Sequence, residues 1–131
     1  MENNKIKGTI FAIDFDGTCV AHEFPNIGRD IGAQKVLKRI VSNGGKLILY
    51  TMRSEGYLDD AVEWFRKNEI ELYAIQKNPT QHIWTDSPKC YAKIYIDDAA
   101  LGCPLKNGRL GEQRHVDWKA VEEILFEDSK Q

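Results

Sequence analysis

Four short apolar runs, rich in β-branched and aromatic residues, alternate along the chain with segments of helical periodicity. The first, GTIFAIDF at residues 8–15, is nearly all apolar, as expected of a strand buried on both faces in a parallel sheet. IGAQKVLKRIVSNGG, residues 31–45, sets Ala33, Leu37, Ile40 and Val41 on one helical face, and Gly44 and Gly45 end it. KLILYTM, residues 46–52, reads as a second buried strand. Ser54 is placed to cap a helix in which Leu58, Ala61, Val62 and Phe65 follow the i, i+3, i+4, i+7 pattern. ELYAI, residues 71–75, predicts a third strand, KNPTQHIWTDSPKC a loop with two prolines, and AKIYI, residues 92–96, a fourth strand. Asp117 is placed to cap a last helix through Val121, Ile124 and Leu125. This alternation predicts an α/β fold, a doubly wound, Rossmann-like, mostly parallel sheet flanked by helices.

Composition narrows the class. A chain of 131 residues without repeats, low-complexity tracts or Pro/Gly/Ser linkers reads as one domain over 1–131. Lys plus Arg number 18 and Asp plus Glu 20, a net charge of −2, so there is no electrostatic argument for nucleic acid or membrane as a partner. No apolar run approaches the roughly 20 residues that span a bilayer. The start, MENNKIKGTIF, lacks the features of a signal peptide, and a cytoplasmic location is expected. The three cysteines, Cys19, Cys90 and Cys103, show no CxxC spacing and read as reduced thiols rather than zinc ligands. Trp64 and Trp118 read as core or half-buried helix residues, and His82, Trp84 and His115 as packing or surface residues. Lys106, Arg109 and Arg114 form a small basic patch whose bland meaning is a solvated face.

The candidate chemistry lies where the strands end. In an open α/β sheet, ligands bind in the crevice beyond the carboxyl ends of the strands. The first strand delivers Asp14 and Asp16, the second Thr51 with Arg53 close behind, and the fourth Asp97 and Asp98. Four carboxylates on one sheet edge repel one another unless a cation sits among them. Mg²⁺ suits such a set, because it takes oxygen ligands and is content with few protein ligands plus water.

These residues resemble the motifs of the haloacid dehalogenase superfamily of phosphotransferases. Its DxDGT motif is matched by Asp14-Phe15-Asp16-Gly17-Thr18, its strand-ending Thr or Ser by Thr51, and its terminal acidic pair by Asp97 and Asp98. The resemblance covers about residues 8–102. For the family's lysine, Lys89 is favoured. Lys93 begins the strand, at the end of the sheet away from the carboxylates, and Lys77 is a third candidate. The resemblance implies a Mg²⁺-dependent phosphomonoester hydrolase working through an aspartyl-phosphate. Asp14 would be the nucleophile and Asp16 the general acid and base. Asp14, the Asp16 backbone carbonyl, Asp97 and Asp98 would surround the metal. Thr51 and Lys89 would hold the phosphate oxygens, with Arg53 as a further substrate contact.

Two features set limits on that reading. Only about 30 residues separate Gly17 from the second strand, and 41 lie between Thr51 and Lys93, so no cap domain fits in either gap. The flap CVAHEFPNI, with Cys19, His22 and Phe24, is the one piece of local cover. Further cover would come from a homo-oligomeric neighbour or from the substrate itself, a phosphorylated small molecule or macromolecule. A phospho-signalling receiver domain uses the same residue types, but its acidic pair comes first and its lysine last, the reverse of the order here. A catalytically idle module that binds Mg²⁺ or phosphate is the remaining alternative.

Overall fold

A computed structural model describes residues 5–126. Four strands, β1 (Ile10–Ile13), β2 (Lys46–Leu49), β3 (Ala74–Ile75) and β4 (Ile94–Ile96), form an all-parallel sheet in the order β3-β2-β1-β4. Three helices flank it, α1 (Ala33–Ser42), α2 (Glu55–Lys67) and α3 (Trp118–Leu125). The expected α/β sheet is therefore present. Its strands are shorter than the apolar runs, although single hydrogen bonds carry the pairing beyond them. Tyr50 N–H donates to the Ile13 carbonyl and Asp14 N–H to that of Ile96, at 2.8 and 3.0 Å.

β1 is central because it is apolar on both faces: Phe11, Ala12 and Ile13 are all buried. Phe15, just past its end, packs edge-on against Trp64 of α2 at 5.6 Å between ring centroids. α1 buries Ala33, Val36, Leu37 and Ile40, and it ends at Asn43 before Gly44, whose φ is 92°. α1 and α3 are tied by Arg39, which reaches Glu122 at 2.9 Å and lies over the Phe126 ring. Trp64 and Trp118 are both in the core.

Capping follows the sequence at one helix and departs from it at another. Asp117 accepts from Ala120 N–H at the start of α3, as its position predicts. Ser54 stands at the N-cap of α2, yet its side chain makes no capping bond; Glu55 enters with φ 51°. The sequence does not predict the short 3-10 helix Gln81–Ile83 within the expected loop, nor the small antiparallel ribbon in which Leu105–Lys106 (β5) and His115–Val116 (β6) pair. Two-residue strands carry too little alternation to be read from a pattern. Its loop is braced by Arg29, which makes a two-pronged contact with Glu112. No helix among the described residues is long and apolar enough to cross a membrane. All three cysteines are free thiols, with Cys19 and Cys90 buried.

Candidate active site

The chain reverses its direction of travel across the sheet at β1, whose neighbours β2 and β4 lie on opposite sides. That is the topological switch at which an open sheet leaves a crevice. Asp14 follows β1, and Asp97 and Asp98 follow β4. Each of the three offers a carboxylate oxygen, and these oxygens lie within 4.8 Å of one another. Three hard oxygen donors, all half-buried and opening on a cavity of about 450 Å³, form a donor set that could hold a metal ion.

Thr18 fixes this cluster. It is fully buried, and its hydroxyl donates to Asp14 Oδ2 at 2.8 Å while accepting from the Asp98 N–H at 3.0 Å. Its own carbonyl accepts from the Trp118 indole N–H at 2.6 Å, which ties the turn to α3. Gly17 must lack a side chain for two reasons. Its φ is 80°, and a Cβ there would lie 2.3 Å from Asp98 Oδ2. Burial, with Asp97 and Asp98 adding repulsion, pushes the Asp14 carboxyl up to about 7, although the Thr18 bond works against this. Burial and the Asp97 charge also raise Asp98.

Asp16 is handled differently. Its side chain is not part of the three-carboxylate cluster. It forms a two-pronged pair with Arg53, Nε to Oδ2 and Nη2 to Oδ1, both at 2.8 Å. Arg53 is 2% exposed. Its remaining donors go to backbone carbonyls, Nη1 to Pro25 and Tyr57 and Nη2 to Asn26. All five guanidinium hydrogens are thus committed within the protein. Arg53, expected as a substrate contact, does line the cavity, and there it binds Asp16 and staples the flap to the start of α2.

Thr51 lines the cavity beside Asp14, as expected. Its backbone is gripped by a side chain that sequence reasoning missed. The Gln76 amide accepts from Thr51 N–H at 2.9 Å and donates to the Thr51 carbonyl at 2.7 Å, standing in for one more residue of β3. The Thr51 hydroxyl accepts from Arg53 N–H at 3.1 Å. Nothing in the one-dimensional pattern marks Gln76, since its φ of 67° and its reach depend on the folded turn.

None of the three candidate lysines lines this cavity. Lys89 Nζ sits 5.4 Å from the Tyr95 ring centroid, and Lys89 is absent from the cavity lining. Lys77 lines a different cavity, and Lys93 lines one with Lys5 and Ile10 at the amino end of the strands. The 76–91 loop is folded on itself instead. Gln81 bonds the Lys89 carbonyl and Tyr91 N–H, and this leaves Lys89 beside β4. His22 and Phe24 of the flap do line the cavity beside Asp14, as do Met52 and Gln113, on which the sequence gives no expectation; Cys19 is wholly buried. Lys106 and Arg109 line a separate cavity with Arg29 and His115.

No family model matches the chain. No curated protein matches it either. A solved structure of a conserved protein from Bacteroides thetaiotaomicron does match, with 34% identity, a TM-score of 0.74, and coverage of 92% of this chain and 91% of that one.

Proposed function

We propose that this chain, which belongs to the family of that conserved Bacteroides thetaiotaomicron protein, is a Mg²⁺-dependent phosphomonoester hydrolase of the haloacid dehalogenase superfamily. One observation carries the reading. Asp14, Asp97 and Asp98 converge at the carboxyl ends of two neighbouring parallel strands, in one cavity with Asp16 and Thr51. When bound among these carboxylates, a divalent cation would supply the positive charge that a phosphoryl group needs and that Arg53, committed to Asp16, does not offer.

The residues take the following roles. Asp14 attacks phosphorus, forming an acyl phosphate and releasing the alcohol oxygen. Asp16 gives that oxygen its proton, then takes one from the water that hydrolyses the acyl phosphate. Arg53 orients Asp16 without exhausting it, since each carboxylate oxygen keeps a second lone pair. The Thr51 hydroxyl donates to a phosphate oxygen, and Gln76 keeps the Thr51 backbone in register with the sheet. Thr18 holds Asp14 at one rotamer for attack.

Phosphate release from a panel of monoesters, with Mg²⁺ and with EDTA, tests the reading. Turnover that needs the cation and disappears in Asp14→Asn is expected; turnover unaffected by both removes it. Among the described residues no lysine lines the cavity, which favours one second reading, an idle module that binds Mg²⁺ or phosphate; a receiver domain would need the lysine as well. Stable acyl-phosphate labelling without release would support the receiver form, and neither labelling nor release the idle one.

A further inference from the structure

The cavity above the carboxylates has a second chemical character. Phe24 is 47% exposed and Met52 96% exposed, and both belong to its lining. They give the mouth of the acidic cavity two apolar contact surfaces. Phe24 is also held. The Arg53 guanidinium lies 5.0 Å from its ring centroid and 5.1 Å from that of Phe15, so Phe24 is the outer layer of a ring–guanidinium–ring stack that begins in the core. Tyr57 packs edge-on against it at 5.3 Å. The backbone immediately after Phe24 is pinned through the Pro25 and Asn26 carbonyls to the same guanidinium. An exposed ring already fixed in place loses little freedom when a second ring stacks on it.

Charge sets the other limit. Among the described residues Arg53 is the one Arg or Lys on the lining, and its donors are all used. A second phosphate or a carboxylate on the substrate would find no spare positive charge on the lining, because Arg53 is held by Asp16 and a cation would be held by Asp14, Asp97 and Asp98. We propose that the cavity takes a phosphomonoester with an aromatic body and a single phosphoryl group, the class that includes nucleoside monophosphates, with its ring stacked on Phe24 and flanked by Met52. This rests on the hydrolase reading above.

The test compares AMP with ribose 5-phosphate, which share the sugar and the leaving oxygen and differ in the base. With Mg²⁺, kcat/KM for AMP should exceed that for ribose 5-phosphate by about tenfold, within the range of one base–aromatic stack. Phe24→Leu should bring the ratio close to one by losing rate mainly on AMP. Tyr57→Ala, which leaves the Tyr57 carbonyl to Arg53, should lower the ratio in the same direction and serves if Phe24→Leu fails to fold. A wild-type ratio near one, or a ratio that survives both substitutions, overturns the proposal. Should neither ester be hydrolysed, the hydrolase reading fails, and equilibrium dialysis with Mg²⁺ decides this one separately. Tighter binding of AMP that Phe24→Leu abolishes supports the stack, whereas equal or undetectable binding overturns it.

Discussion

Replacing Asp14 with Asn should stabilise the metal-free protein above neutral pH, although it removes the proposed nucleophile. In the native cluster Asp14 is crowded by Asp97 and Asp98 and partly withdrawn from water, which raises its pKa from 3.8 to about 7. A carboxyl whose pKa is higher folded than unfolded favours the fold while it is protonated. Its contribution is complete below pH 3.8 and is lost as the pH rises through about 7. At 1.36 kcal/mol per pKa unit the full loss is about 4 kcal/mol. Asp14 opens on the cavity, where water screens part of the repulsion, so about 2 kcal/mol is a fairer expectation. Asn keeps an acceptor for the Thr18 hydroxyl and presents N–H donors near Asp97 and Asp98. In EDTA at pH 8 the variant should therefore melt above wild type, by roughly 5–10 °C for a chain of this length. At pH 4.5 the gap should close, since wild-type Asp14 is then protonated in the fold. Groups titrating elsewhere, such as Glu112, which the Arg29 hydrogen bond holds at about 2, are common to both proteins and cancel. Mg²⁺ should raise the wild-type melt more than that of the variant. A variant that melts at or below wild type in EDTA at pH 8, or a gap that is the same at both pH values, would refute the electrostatic account of the cluster.

Gly17→Ala places a Cβ 2.3 Å from Asp98 Oδ2 at a φ of 80°, so it should cost about 2 kcal/mol by denaturant titration and abolish the Mg²⁺-induced rise in melting temperature. Arg53→Lys keeps the charge but loses the fork that holds Asp16 and three backbone carbonyls; a loss of about 3 kcal/mol in urea and hydrolysis reduced to a few per cent are expected. Lys89→Ala should change kcat/KM by less than about threefold, because the ammonium lies by Tyr95 outside the cavity and acts only as a surface charge; a hundredfold loss would show that the 76–91 loop brings it to the phosphate.

The parts of this structure that could be read from the chain are those set by local, one-dimensional signals. β1 was visible because Phe11, Ala12 and Ile13 are buried on both faces, and α1 because Ala33, Leu37 and Ile40 recur on one side. The convergence of Asp14, Asp97 and Asp98 followed from strand ends alone, since parallel strands place their carboxyl ends on one edge. What escaped depends on side chains that reach across the fold. An arginine just past a strand looks the same whether it points at substrate or, as Arg53 does, gathers Asp16 and the flap. Gln76 gives no signal because its function is to imitate backbone. Lys89 was assigned by spacing, and spacing says nothing of a loop that Gln81 and Asn78 fold back on itself.

The arrangement around Thr18 explains why acidic groups can stand here before any ligand arrives. A hydroxyl has one hydrogen, and Asp14 holds it at 2.8 Å while Asp98 lies at 3.4 Å from the same oxygen. Asp98 is anchored through its backbone instead, by the bond from its N–H to Thr18. The turn thus places two carboxylates through one buried residue, and that residue is secured to α3 by the Trp118 indole. Rigid placement of like charges has an energetic cost, and Asp14 shows it in a carboxyl driven towards neutrality. The opposing charge on the lining, Arg53, is spent on Asp16. Positive charge for Asp14, Asp97 and Asp98 has to come from solution, and a phosphate dianion approaching without it would be repelled. In the proposed reaction Asp14, Asp97 and Asp98 would hold the cation that offsets the ester's charge, and the same repulsion that destabilises the cluster would favour its binding.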